Sequence, residues 1–184
     1  MKKRCEWATA EPNITYHDKE WGRPVHDDQK LFEFLILEGA QAGLSWVTIL
    51  KRREGYRKAF SNFDVEKVSN YNQRQIDILL KNDSIIRNKL KINSAISNAK
   101  KFVKIQKEFG SFDNYIWRFV DDKPIKNKFK SLSEIPSSSP ISEKMSKDLK
   151  NRGFNFVGPT ICYALMQAIG MVNDHTVGCF MHGK

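Results

Sequence analysis

Glu38 is the first side chain here whose position asks for a chemical reason. Leu31, Phe34, Leu35 and Ala42 recur at helical steps and form one apolar face. Glu38 lies on that face, one heptad after Leu31. A carboxylate in such a place is costly without a partner or a task. Gly39 and Gly43 loosen the helix beyond it, and Trp46 follows. A buried acid beside an aromatic wall describes a pocket, and perturbed acids mark functional sites. The competing reading leaves Glu38 on an exposed helix edge and Trp46 in plain core.

A second set of residues has metal-ligand chemistry. His175 and Cys179 stand four apart, which one helical turn can bring to one face. Cys5 and His17 supply another such pair at the opposite end of the chain. Together they make a Cys2His2 set suited to tetrahedral zinc with a closed shell. Such an ion would staple the N-terminal segment to the C-terminus and hold Trp7 and Tyr16 in place. The Cys5/His17 spacing matches no compact zinc finger, and His182 is an alternative ligand. Cys162 sits in an apolar helix and reads as a core thiol.

The third chemical feature is a hairpin over about 142–170. Ser142 is the expected N-cap of a helix running to Lys150, with Met145 and Leu149 facing inward. Gly153 ends it, Pro159 opens the next helix, and Gly170 closes that one. The N–H groups around Gly158 and Thr160 make a seat for one phosphate. Lys147, Lys150 and Arg152 extend the grip. This pattern looks like a helix-hairpin-helix, which holds a DNA backbone without reading bases; a plain helical hairpin is the other reading.

The rest of the chain must position these groups. Its 184 residues suit one domain, 1–184, whose formal net charge of +10 favours a polyanionic partner. There is no long apolar run and no secretory signal, so no membrane is expected. Three cysteines fit a reducing cytoplasm better than a disulfide framework. The first thirty residues read as a loop-rich segment, with Asp27 or Asp28 capping the helix that carries Glu38. A helix over about 45–60 has a polar side with Lys51, Arg52, Arg53, Arg57 and Lys58. Asp64 and Asn72 read as N-caps, Asn72 with Gln75 as a capping box. The longest helix covers about 86–108, with Leu90, Ile96, Ala99, Phe102, Val103 and Ile105 as apolar positions. Residues 112–120 read as a short core helix, and residues 121–142 as a surface connection. The class is all-α.

Five blocks in order then add up to a family: Arg4-Cys5-x-Trp7; Tyr16-His17-Asp18-x-Glu20-Trp21-Gly22; Leu37 to Trp46; Arg152-Gly153-Phe154-x-Phe156-Val157-Gly158; and Val172-Asn173-Asp174-His175-x-Val177-Gly178-Cys179. Over nearly the whole chain the sequence resembles the bacterial 3-methyladenine DNA glycosylase I family. That resemblance implies a two-lobed all-α fold of the helix-hairpin-helix superfamily. It implies hydrolytic release of 3-methyladenine from alkylated double-stranded DNA, the first step of base excision repair; a monomer in the bacterial cytoplasm, acting at the nucleoid, is expected. It also implies structural zinc on Cys5, His17, His175 and Cys179. The base pocket maps to Glu38, Tyr16 and Trp46, with Trp7 and Trp21 by neighbourhood, and the duplex-probing residue to Leu44 beside Gly43.

Two departures bear on mechanism. Many superfamily relatives place an aspartate shortly after the hairpin, where Asn173 stands here and Asp174 is shifted by one. The lysine of strand-cleaving relatives corresponds to Thr160, which cannot form a Schiff base. The expectation is a monofunctional enzyme limited to lesions whose glycosidic bond is already weak. The competing readings are an alkylation sensor without chemistry and a zinc hydrolase.

Overall fold

The computed structural model describes residues 2–184 and consists of helices packed about one central helix. The nine α-helices among the described residues are α1 (Asn13–Lys19), α2 (Asp28–Gln41), α3 (Trp46–Ala59), α4 (Val65–Ser69), α5 (Gln73–Lys81), α6 (Lys89–Phe109), α7 (Phe112–Trp117), α8 (Pro140–Asn151) and α9 (Pro159–Ala168). Two short parallel strands, β1 (Ile125–Lys126) and β2 (Val172–Asn173), tie the segment after α7 to the C-terminus. Among the described residues no helix is long and apolar enough to cross a membrane.

Helix α2 is the central element. Asp27 caps it, accepting from the Lys30 N–H at 2.8 Å. From Leu31 to Ala40 every residue is buried, so the helix is enclosed on all sides rather than on one stripe. Gly39 does not loosen it. The helix continues to Gln41, and a Cβ at Gly39 would stand 3.3 Å from the Phe156 Cβ, so the glycine serves close packing. Asp28 bridges the start of α2 to the start of α7, accepting from the Phe112 and Asp113 N–H groups at 2.9 and 2.8 Å.

Local sequence signals decide most boundaries. Asp64 and Asn72 cap α4 and α5, and Asn72 with Gln75 forms a full capping box. Asn88 caps α6, whose end falls at Gly110, φ +85°. Several expectations shift, beginning with the first thirty residues, read as loop-rich, which hold helix α1 at Asn13–Lys19. Helix α8 begins at Pro140 with Ser139 as cap, and Ser142 is buried as the reciprocal partner in that box. Leu90 is exposed rather than part of the core. Arg53 leaves the polar side of α3 and is buried among acids.

The chain ends meet. Phe180 N–H donates to the Lys3 carbonyl at 2.9 Å. Asn127 donates to the Asp174 carboxylate at 2.7 Å beside the β1–β2 pair.

Candidate active site and metal cluster

A cleft of about 470 Å³ opens where α1, the C-terminal turn of α2, the start of α3 and the inner face of α9 converge. Trp7, Tyr16, Trp21 and Trp46 wall it, and Glu38 lies within it. The aromatic rings brace one another: Tyr16 and Trp46 centroids are 5.3 Å apart, and Trp7 meets Trp21 edge-on at 5.0 Å. Ser45 caps α3, so Trp46 projects from its first turn and cannot drift without unwinding the helix start.

Helix α2 carries two buried acids in opposite circumstances. Glu33 accepts from Arg53 Nε at 2.7 Å and pairs with Arg57 at 2.9 Å and Lys30 at 3.1 Å. Burial alone would raise its pKa, but Arg53 outweighs that and, with Lys30 and Arg57, holds it below the usual range. Arg53 also grips Glu20 with both terminal nitrogens at 2.8 Å, locking α3 to α2 and to the turn after α1. Glu38 has none of this. It is 4 % exposed, and among the described residues no hydrogen bond reaches its carboxyl. Burial pushes its pKa up to about 8. One acid is neutralised as structure demands; the other is left unpartnered and faces a cavity. Two more polar atoms of the cleft walls, Asn13 Oδ1 and Trp46 Nε1, are buried without a protein partner. Tyr16 is kept neutral: burial, then the Glu38 and Glu20 charges, raise its pKa against the opposing pull of Arg53.

Behind the aromatic wall, Cys5, His17 and Cys179 bring their ligand atoms within 4.8 Å of one another. His17 Nε2 lies 3.3 Å from Cys179 Sγ, while its Nδ1 hydrogen-bonds Asp18 at 2.8 Å. Arg4 in turn clamps Asp18, whose pKa is held at about 2, chiefly by that hydrogen bond. His175 stands against His17, ring centroids 4.8 Å apart. Its Nδ1 faces the Asn173 amide oxygen at 2.8 Å. That oxygen only accepts, so the proton is assigned to Nδ1 and Nε2 keeps its lone pair. His175 Nε2 is buried and has no partner. A converging thiol pair, an imidazole and an orphaned second imidazole nitrogen fit a cation, and both rings have the outer partners that orient metal-bound histidines. Neither His175 nor His182 falls within that 4.8 Å group of Cys5, His17 and Cys179, and His182 turns its Nδ1 to the His175 carbonyl at 2.8 Å. Cys162 is a buried core thiol, its pKa pushed up by burial to about 12.

At the rim of the cleft, Gly43 takes φ +76°, where a side chain would be strained, and the chain turns sharply there. Leu44 is thrust outward, 39 % exposed. A second hollow of about 200 Å³ beneath it is lined by Glu38, Gln41, Thr160 and Ala164, so the turn and the first turn of α9 face one space. Helices α8 and α9 pack together across the turn at 152–158. Lys150 is exposed at the end of α8, and a Cβ on Gly158 would meet open space. Arg152 is committed internally: two nitrogens reach Glu108 at 2.7 and 3.0 Å, and Nε reaches Asp148 at 3.1 Å.

A family model described as methyladenine glycosylase matches residues 7–182. The chain belongs to this family. It is 46% identical over 180 residues to the DNA-3-methyladenine glycosylase of Haemophilus influenzae, covering 97% of each chain. It is 47% identical over 178 residues to DNA-3-methyladenine glycosylase 1 of Escherichia coli, covering 96% of this chain and 95% of that one. A solved structure described as 3-methyladenine DNA glycosylase I (TAG) superposes with a TM-score of 0.95 at 48% identity, covering 98% of this chain and all of the other.

Within this methyladenine glycosylase, the segment read from sequence as a surface connection proves to be a wall. Leu132, Ile135, Pro136 and Ser137 line the cleft together with Trp46 and Glu38. Its Lys, Ser and Pro content masked this, because a strap that contributes isolated apolar side chains has no periodicity to read. Asn13, Tyr163 and Gln167 also line the cleft and carried no signal by spacing. Asp174, the shifted acid, is fully buried and accepts from Tyr163 at 2.8 Å, Gln167 at 2.8 Å and Asn127 at 2.7 Å. It braces α9 against β2 and does not line the cleft.

Proposed function

We propose that this chain is a monofunctional DNA glycosylase that hydrolyses the N-glycosidic bond of 3-methyladenine in alkylated double-stranded DNA and so begins base excision repair. One observation carries the reading: an unpartnered buried carboxyl, Glu38, sits in an aromatic cleft large enough for a purine. Membership of the methyladenine glycosylase family supports it.

A base inside a duplex is out of reach until it is flipped from the stack. Leu44, on its glycine turn, is the apolar wedge that fills the gap. The α8–turn–α9 unit serves as a helix-hairpin-helix, with Gly158, Thr160 and Lys150 at the backbone. Arg152 takes part through the fold, since its charge is already matched. Adenine methylated at N3 is cationic. Over the faces of Trp46 and Tyr16 a cation gains ~0.5–2 kcal/mol, which ordinary adenine lacks. Glu38, once ionised, adds Coulomb attraction in a site of low dielectric and accepts from the exocyclic amine.

The leaving group explains the modest machinery. The C1′–N9 bond breaks with its electron pair passing to N9, so the base departs neutral. Water then adds its oxygen to the oxocarbenium-like C1′ and loses a proton. Thr160 offers no amine for a Schiff base, so the sugar is released without strand cleavage. Zinc is the metal that best suits two thiolates and two imidazoles. Cys5, His17, His175 and Cys179 would hold it with no open position, and its contribution is to clamp the chain ends behind Trp7 and Tyr16.

The test is base release. Purified protein incubated with methylated duplex DNA should yield free 3-methyladenine by chromatography and mass spectrometry, without strand breaks. Tight binding with no base released would mean a sensor.

A further inference from the structure

We propose that Lys91 is a positioning residue for base flipping: its ammonium locks the turn that carries Leu44. The inference rests on the wedge role proposed above for Leu44.

Helix α2 ends at Gln41, and its last carbonyls have no intrahelical donors. Two of them find the same partner. Lys91 Nζ donates to the Ala40 carbonyl at 2.8 Å and to the Ala42 carbonyl at 2.6 Å. These carbonyls bracket the exit from α2, and Gly43 and Leu44 follow at once. Lys91 belongs to the first turn of α6, more than forty residues away in sequence, and its own N–H is held by the Asn88 cap at 3.1 Å. The cation therefore comes from a rigid element and meets the negative end of the α2 dipole. Within the turn itself, Leu44 N–H donates to the Gln41 carbonyl at 2.6 Å, and nothing stands within 4 Å of a Cβ at Gly43. The backbone hydrogen bonds of the turn, Ala42 to Gly39 and Leu44 to Gln41, run back only to the end of α2, so the Lys91 bridge is what ties its base to another helix. Lys91 is half-buried, lies outside the cleft wall, and bears a charge that burial weakens. A lysine kept there against that cost is explained by the turn it holds.

A wedge that wanders loses its effect only where a stack must be broken. Lys91→Met should lower single-turnover excision from methylated duplex about 10- to 100-fold, the usual penalty for a misplaced group. Excision from methylated single strands should stay within about twofold, as should the affinity for free 3-methyladenine followed by tryptophan fluorescence. Lys91→Arg, whose fork reaches two carbonyls, should recover most of the loss. In a Leu44→Ala background Lys91→Met should add nothing, because the two act as one device. Additive losses, or equal losses on duplex and single strands, overturn the proposal while the wedge reading stands. A Leu44→Ala protein with undiminished duplex excision removes the wedge reading, and the Lys91 proposal with it. If Lys91→Met melts too low to assay, Lys91→Gln, which lacks the charge and the reach, is read by the same criteria.

Discussion

Replacing Glu38 by Gln should make this protein more stable, and the gain should grow with pH. An ordinary glutamate titrates near 4.5, while burial holds the folded-state value at about 8. The folded protein thus binds this proton more tightly than the unfolded chain, so stability is lost as pH rises from about 4.5 through about 8. A glutamine stays neutral throughout and escapes that loss. With about 1.4 kcal/mol per pKa unit, the advantage of Glu38→Gln is about 1 kcal/mol at pH 5, about 3 kcal/mol at pH 7 and about 5 kcal/mol at pH 9. Each kcal/mol raises the melting temperature of a chain this size by about 2–4 °C. Calorimetric scans of both proteins at three pH values would measure the difference. The same variant should release base poorly, a gain in stability and a loss of function from one atom. A gain that is flat with pH, or a less stable variant, would refute the reasoning: the carboxyl would then have a partner or solvent, and the cleft would not hold it as an unpartnered acid.

The remaining expectations follow from the same geometry. Single-turnover excision at fixed salt should rise with pH toward a limb near 8 as Glu38 ionises, and this limb should vanish in Glu38→Gln; a profile unchanged by the substitution would detach Glu38 from the reaction. Purified protein should hold about one equivalent of zinc by elemental analysis, and Asn173→Ala, which frees the His175 ring, should weaken zinc binding about 10- to 100-fold in a chelator competition. Gly170→Ala should destabilise by several kcal/mol in urea titration, above the ~1–3 kcal/mol of ordinary overpacking, because the new Cβ would stand 2.2 Å from the Arg23 carbonyl carbon at a φ of +74°.

Local chemistry is legible in the sequence. The caps Asp27, Asp64 and Asn72, the Pro159 start and the Gly153 and Gly170 stops follow from hydrogen bonds and dihedral limits within a few residues of each position. The oddity of Glu38 on an apolar face, and the donor chemistry of Cys5, His17, His175 and Cys179, are also properties of residue type and spacing. Which acid on α2 would be matched was not legible. Glu33 meets Arg53 and Glu38 meets no one, because α3 crosses α2 at one height and the cleft opens at another. Nor could spacing tell that residues 132–137 wall the cleft, that Arg152 is spent on Glu108 and Asp148, or that Lys91 reaches back to the end of α2. Periodicity reports which face of an element turns inward, but not what stands opposite. Partners separated by tens of residues are chosen only when the helices pack, and that choice decides which charges are neutralised and which is left to act.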